Sequence, residues 1–314
     1  MIKNFRTNKS SFNLQFNYRV SNVIIPIAMA LNDEYTYPTI VAITSILENA
    51  NSNTKYDFYL LHTPNFPIKS KNKLKSLEKK YIRCSINLFE MKNFLFQKAI
   101  LSRHISTSAA YYRLYLSDLF PNIDKMIYLD GDTLTFNDLK KMYDINMEGF
   151  YYKGFLDIIK DKFLPNNDNY ICSGVLLINL KNLRKDDIIN KMYKYMIKNN
   201  KKLHCHDQTI INGVCSSKIG LLPPQFGIFN FQKFKKLWKR ANKIYKTKKH
   251  KYSYEQLRNA YYHPSILHCT RKPWIYKNNY ANKIWYEYAK KTGYFNEIYK
   301  NYKAFHKRRN LKKI

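Results

Sequence analysis

The stretch Lys125-Met126-Ile127-Tyr128-Leu129-Asp130-Gly131-Asp132-Thr133-Leu134-Thr135 decides the reading of this chain. Its first half is a short apolar run rich in strand-forming residues, which predicts a buried strand. Two carboxylates one residue apart follow it. Side chains alternate along extended backbone, so Asp130 and Asp132 are expected to face the same way at the strand's end. Gly131 between them permits a tight turn or the close approach of a ligand. An isolated Asp-X-Asp also fits an acidic β-turn, because turns favour Asp and Gly. In a very basic protein, directly after an apolar strand, it fits a site for Mg2+ or Mn2+ on hard oxygen ligands.

Outward from this stretch the pattern alternates. Residues 22–31 read as a first buried strand, 37–49 as a helix and 56–62 as a second strand. A further helix is expected over 70–80, a third strand over 85–89 and a helix over 107–119, ahead of the Asp130 strand. Such β-α-β-α-β order predicts an α/β fold whose mostly parallel sheet carries helices on both faces. Ligands bind such sheets beyond the carboxyl ends of the strands, where the acidic pair would sit. The chain contains no Gly-X-Gly-X-X-Gly and no Walker-type phosphate loop, which disfavours dinucleotide dehydrogenases and P-loop enzymes.

The bulk properties narrow the class. At 314 residues and 45% hydrophobic content the chain can bury a large core. Five cysteines at positions 84, 172, 205, 215 and 269 form no disulfide framework and point to a reducing compartment. His204-Cys205-His206 lacks a partner at zinc spacing. The apolar run Val23–Leu31 is far shorter than the ~20 residues a bilayer span needs, and Pro26 interrupts it. Residues 1–21 read as a polar, basic extension without the marks of a signal peptide. The expected location is cytoplasmic, with peripheral contact on the inner face of the cytoplasmic membrane.

Charge is uneven. From Lys233 onward 24 Lys and Arg face three Glu, which is +21 of the net +33. Aromatic residues stud this part, and 276–314 reads as a basic aromatic tail suited to an anionic membrane surface. Nucleic acid would use the same charges but is the less favoured partner. A solvated basic face is the plain alternative.

Three further segments set polar groups in apolar surroundings. Ile171–Leu180 reads as a small-residue turn running into an apolar strand. His206–Asn212 places Asp207 and Gln208 at the start of an apolar helix, where a helix N-cap alone would also explain the acid. Ile266–Trp274 ends a short strand with His268, Arg271 and Lys272 before Pro273. With the distant aspartates, the histidine supplies a nitrogen ligand and the cations suit a diphosphate.

Taken in order, six pieces resemble glycosyltransferase family 8: IPIAMALNDEYTYPTIVAITS (25–45), SAAYYRLYL (108–116), YLDGDTL (128–134), SGVLLINL (173–180), HDQTIIN (206–212) and ILHCTRKPW (266–274). The resemblance spans about residues 22–290. It implies a GT-A-type nucleotide-sugar-binding fold over 22–275, with a basic helical C-terminal extension. It further implies that Asp130, Asp132 and His268 bind Mn2+, with Mg2+ as the alternative. By the same resemblance Ala30, Leu31, Asn32 and Tyr35 surround the base and ribose of the donor. Arg113, Gly131, Ser173 and Lys272 border its sugar and phosphates. Asp157, Asp207 and Gln208 stand near the reacting sugar as the catalytic group.

The implied reaction is a retaining transfer of glucose or galactose from UDP-glucose or UDP-galactose to a glycan or glycolipid acceptor, such as a lipopolysaccharide core or another surface glycan. A protein-modifying or self-glucosylating enzyme, and a non-catalytic polyanion-binding protein on the same fold, are the other readings. Cys172 stands where the family usually has Asn, and Arg271 where it usually has Gly. Those two departures bear on the choice of sugar and on the fit of the phosphate.

Overall fold

The computed structural model describes residues 23–92, 96, 108–158, 169–199, 203–230, 233–246, 251–276 and 281–311. The first strand, β1 (Val23–Leu31), sends Ile25, Ile27, Met29 and Leu31 to one side of the sheet and Ala28 to the other. Helix α1 (Thr36–Glu48) follows, then β2 (Thr54–His62), α2 (Ile68–Lys80) and β3 (Cys84–Glu90). Each boundary lies within two residues of the sequence expectation.

The segment expected to be helical before the acidic pair is tighter than an α-helix. It forms a 3-10 helix over Ser108–Tyr115 and one α turn, α3 (Leu116–Leu119), while Thr107 lies outside the described residues. Next come β4 (Lys125–Leu129), β5 (Thr133–Thr135), α4 (Lys140–Tyr143), β6 (Tyr152–Leu156) and β7 (Ile171–Asn179). Beyond β7 lie α5 (Leu180–Lys185), α6 (Ile188–Asn199), α7 (Asp207–Val214), β8 (Ile219–Leu221) and β9 (Phe226–Phe229). The chain continues through α8 (Phe234–Tyr245), α9 (Tyr254–Tyr262), β10 (Ile266–His268), α10 (Asn282–Lys291) and α11 (Phe295–Leu311).

Seven strands form the main sheet in the order β3-β2-β1-β4-β7-β6-β8. All neighbours run parallel except β7, which is antiparallel to β4 on one side and β6 on the other. A small second sheet, β5-β10-β9, pairs β10 antiparallel to β5 and parallel to β9. The two sheets meet at the Asp130–Asp132 turn, because β4 belongs to one and β5 to the other.

Apolar side chains fill both faces of the main sheet. Met126 and Tyr128 face α6 and α7, while Ile127 and Leu129 face α1 and α2. Burying each large aliphatic side chain contributes about 1.5–3 kcal/mol, so this double-sided core anchors the strand that carries the acids.

The C-terminal helices dock one face on the rest of the fold and leave the other exposed. Trp285, Ala289 and Ile298 are fully buried and pack with Trp274 and the second sheet. Tyr302 lies against both Trp274 and Trp285, with ring centroids 6.0 and 5.9 Å apart. Lys73 of α2 binds Glu297, which also accepts a 2.7 Å hydrogen bond from the Tyr37 hydroxyl. Trp285 is therefore interior, Tyr286, Tyr288, Tyr294, Phe295 and Tyr302 are half-buried against the core, and Tyr276 and Tyr299 stay exposed. No helix among the described residues is long and apolar enough to cross a membrane.

Candidate active site

The acidic pair sits at the carboxyl end of β4, at the centre of the main sheet. Asp130 extends the strand by one residue, its backbone N–H donating to Gly174 O of β7 at 2.8 Å. It shares the face of Tyr128, whose hydroxyl donates to Asp130 Oδ1 at 3.1 Å. The chain then turns into β5, and both carboxylates face His268 at the end of β10. His268 Nε2 lies 3.3 Å from Asp132 Oδ1 and 3.7 Å from Asp130 Oδ2. One ligand atom from each of the three residues falls within 4.8 Å of the others.

These residues fit a divalent cation. Two carboxylate oxygens and an imidazole nitrogen make a mixed hard and borderline donor set that leaves positions open. Asp132 is 3% exposed, and its Oδ1 is buried without a hydrogen-bond partner, an arrangement that is costly unless a cation completes it. Asp132 Oδ2 is bound by the Lys272 ammonium. Burial of Lys272 lowers its pKa to about 8, with Asp130 opposing the shift.

Small residues make room for this convergence. A Cβ on Gly174 would come 2.3 Å from His268 Cε1 and 2.5 Å from Asp130 Oδ2, so only glycine lets β7 pass behind both groups. A Cβ on Gly131 would meet Thr39 Oγ1 at 2.6 Å and the Tyr35 ring at 3.3 Å. Cys172, Ser173 and Gly174 were expected as a turn before the strand, but they belong to β7 itself. The ladder to β4 runs as far as Gly174, and pairing of Ile171 with Leu156 of β6 holds the other end of the segment extended. Cys172 is buried, with Sγ 3.6 Å from His268 Nδ1. That contact holds the far edge of the imidazole while Nε2 faces the acids.

Arg113, at the end of the 3-10 helix, links the acidic pair to a second polar group. Its guanidinium donates to Asp130 Oδ1 at 2.9 Å and lies 3.1 Å from Asp207 Oδ2. It also sits 4.3 Å over the Tyr128 ring, and its Nε–H donates to Ala110 O at 3.0 Å. Burial opposes ionisation of Asp130. Arg113, His268 and Lys272 outweigh it and hold the carboxyl below its usual range. Asp207 is fully buried and has fewer cations near it. Burial pushes it above the usual range, although Arg113 opposes the shift.

Gln208 follows Asp207 on α7 and faces β6 and β7. Its amide nitrogen donates to Asp157 Oδ2 at 2.7 Å, and its Oε1 accepts from the Ser173 N–H at 3.2 Å. Asp157 stands one residue past β6 and is 3% exposed. His206, just before the helix, has φ +50° and ψ −120°, a conformation that L side chains rarely adopt. It delivers Asp207 and Gln208 together toward the carboxyl end of the sheet. The structure thus joins Asp157, Asp207, Gln208, Ser173 and Arg113 to the Asp130–Asp132–His268 group.

The other expected donor residues cluster beside the Asp-Gly-Asp turn. Ala30 is the penultimate residue of β1, Asn32 has a buried Oδ1 without a hydrogen-bond partner, and Tyr35 meets Trp274 edge-on at 6.1 Å. The Leu31 side chain is 1% exposed within the core beneath the sheet, which leaves its backbone to face the loop. Arg271 is exposed and lies 5.3 Å over the Tyr276 ring, while Asn230 accepts from its N–H at 3.2 Å.

Three supporting residues escaped the sequence reading. Tyr128 binds Asp130 directly. Asn212 clamps α7 to β7 through 2.8 Å bonds with Ile171 N and O. Asn230 pins the loop that carries Lys272. Tyr128 and Asn212 lie inside the quoted motifs, whose polar residues were the available signal. Asn230 had none.

The profile described as Glycosyl transferase family 8 matches residues 26–278. The chain belongs to this family and is a glycosyltransferase of GT-A fold. It is 29% identical over 206 residues to a protein named putative glycosyltransferase from Haemophilus influenzae, the match covering 62% of this chain and 61% of that one. It is 25% identical to a lipopolysaccharide 1,2-glucosyltransferase of Escherichia coli, covering 87% and 77% of the two chains. Among solved structures it is similar in fold to the galactosyltransferase LgtC in complex with donor and acceptor sugar analogs. That match has a TM-score of 0.69 and 21% identity, and covers 85% of this chain and 96% of the other. The chain spans less than two thirds of the Haemophilus relative's length.

Proposed function

We propose that this glycosyltransferase is a retaining, Mn2+-dependent hexosyltransferase that moves glucose or galactose from a UDP-sugar to a glycan acceptor of the cell surface. The observation that carries the reading is the convergence of Asp130, Asp132 and His268 within 4.8 Å, with the Lys272 ammonium on Asp132. Asp130, Asp132 and His268 would hold the cation. When bound, Mn2+ supplies positive charge to the diphosphate and so stabilises the departing UDP without a strong acid.

The chain's own groups divide the remaining work. Lys272 leaves Asp132 and binds a phosphate oxygen. Asn32 and Tyr35 flank the uridine, and the backbone of Ala30 and Leu31 lines its approach. Arg113, held by two acids and a ring, keeps Asp130 ionised and borders the donor sugar. Asp157 and Asp207 accept hydrogen bonds from sugar hydroxyls, and Gln208 stands by the anomeric carbon on the side of β7. An amide is a poor nucleophile, which favours a path in which UDP leaves and the acceptor attacks on the same face of the sugar. The acceptor hydroxyl's proton then passes to the departing phosphate oxygen.

A donor-hydrolysis assay with UDP-glucose and UDP-galactose, with and without Mn2+, tests this reading. Release of UDP that requires Mn2+ and prefers one hexose supports it. Equal release without a divalent cation, or none from either donor, overturns it.

A further inference from the structure

Helices α8 and α9 flank an open cavity of about 370 Å³ away from the metal site, lined by Trp238, Asn242, Tyr245, Tyr252, Ser253 and Gln256. Its volume lies within the 300–1,000 Å³ common for small-ligand sites. Along α8, Trp238, Asn242 and Tyr245 are spaced i, i+4 and i+7, so they form one stripe. Trp238 is half-buried and braced edge-on by Tyr254 at 4.9 Å, which leaves its indole a fixed aromatic wall. Across the cavity, Ser253 and Gln256 form the capping box of α9. That box uses Gln256 Oε1 and leaves the amide NH2 as the donor it can offer. Aromatic walls with amide and hydroxyl groups between them suit a sugar ring, whose C–H faces are apolar and whose edges carry hydroxyls.

Charge narrows the occupant. Between residues 233 and 276 the sequence holds 13 Lys and Arg and a single acid, Glu255. Exposed Lys235, Lys239 and Lys246 lie on or beside the α8 stripe, and exposed Lys251 lines the cavity itself. Glu255 lies 4.0 Å from Arg258, on its own helix. The rim is therefore cationic around an aromatic interior.

The cavity is also tied to the reaction centre. Tyr252 stacks on Phe155 at 5.3 Å and 14°. Its hydroxyl accepts from the Leu156 N–H at 3.3 Å and donates to Leu222 O at 2.8 Å. Phe155 and Leu156 immediately precede Asp157.

We infer that this cavity is a distal acceptor subsite, which binds an anionic sugar unit of the glycan being extended. The inference rests on the proposed use of a glycan acceptor. Trp238 stacks on the sugar face, Asn242 and Gln256 hydrogen-bond its hydroxyls, and Lys239, Lys246 and Lys251 meet its negative charge. Tyr252 couples the occupied cavity to the strand that positions Asp157.

Calorimetry on the full chain with two probes of equal length, hexagalacturonate and maltohexaose, tests the subsite directly. Binding of hexagalacturonate at least tenfold tighter than maltohexaose, weakening as salt rises, is expected. Trp238→Ala and the cavity-filling Asn242→Trp should each weaken hexagalacturonate at least tenfold. The exposed double variant Lys239→Glu/Lys246→Glu should remove the preference for the charged probe while circular dichroism stays that of wild type. Equal affinity for the two probes, no binding of either, or variants that bind like wild type would overturn the inference. So would binding of phosphatidylglycerol vesicles, without the oligosaccharide, that these same variants abolish. UDP-sugar hydrolysis by the wild-type protein is read separately, so failure of the transferase reaction and failure of the subsite are distinct results.

Discussion

Arg113 touches two carboxylates, the half-buried Asp130 and the buried Asp207, and the two respond in opposite ways. Asp130 shares its surroundings with His268 and Lys272 as well as Arg113, and their combined charge holds it below the usual carboxylate range. Asp207 has Arg113 as its main cationic neighbour, and burial raises it. The difference is one of cations per acid, set by which strand ends converge where. On the Asp130 side the end of β4, the turn into β5 and the end of β10 bring the three groups that fit a cation. On the Asp207 side α7 brings hydrogen-bonding groups suited to a sugar.

The largest expected effect removes the Asp130 carboxylate itself. Asp130→Ala should lower Mn2+-dependent transfer at least about 10³-fold, or roughly 4 kcal/mol of transition-state stabilisation. Steady-state kinetics across a Mn2+ titration checks this, and near-normal metal-dependent turnover would break the comparison.

Next in size, Gly174→Ala should push His268 and Asp130 apart, because the added Cβ has no space. A loss of about 10²-fold in kcat/KM and a stability cost of roughly 1–3 kcal/mol are expected, the latter measured by denaturant melts. A fully active, fully stable variant would show that the packing behind the acids tolerates more than the distances allow.

Asp207→Asn sharpens the other side. A buried acid with a raised pKa lowers stability once pH rises through that folded-state value, because the unfolded chain ionises more readily. The asparagine variant should therefore lose less stability than wild type between acid and neutral pH, while transfer falls about 10²-fold. Paired melts at both pH values, beside kcat, check the two signs together.

The smallest effect lies at the C-terminal helix. Lys73 and the Tyr37 hydroxyl hold Glu297 below its usual range. Its contribution is present above the ordinary glutamate pKa and is lost as pH falls through the depressed folded-state value. Glu297 is half exposed, and solvent screening keeps the effect to about 0.5 kcal/mol or less. Melts of Glu297→Gln should show a slightly flatter acid limb with unchanged transfer.

The same contrast shows what was legible in the sequence. β1 to β4 could be read because each strand is a local apolar run bounded by turn residues, and the acids stand where such a strand must end. The small residues of β7 misled. Cys172, Ser173 and Gly174 have the composition of a turn, and only the approach of His268 from a distant strand explains why they are small in an extended segment. Arg113 was placed near the donor by resemblance, yet its bridge to Asp207 depends on packing between the 3-10 helix and α7, which no local pattern encodes. The aromatic C-terminal region was read by charge as a surface. The structure buries Trp285, half-buries most of the other described rings of this region and leaves Tyr276 and Tyr299 exposed.

Mn2+ binding measured by electron paramagnetic resonance, on wild-type protein and on His268→Ala, tests the central claim most directly. One Mn2+ per chain in the wild type, weakened at least tenfold by loss of the imidazole, is the predicted result. Mn2+ bound equally well without His268, or not bound by the wild type at all, would contradict the assignment of Asp130, Asp132 and His268 as one metal site.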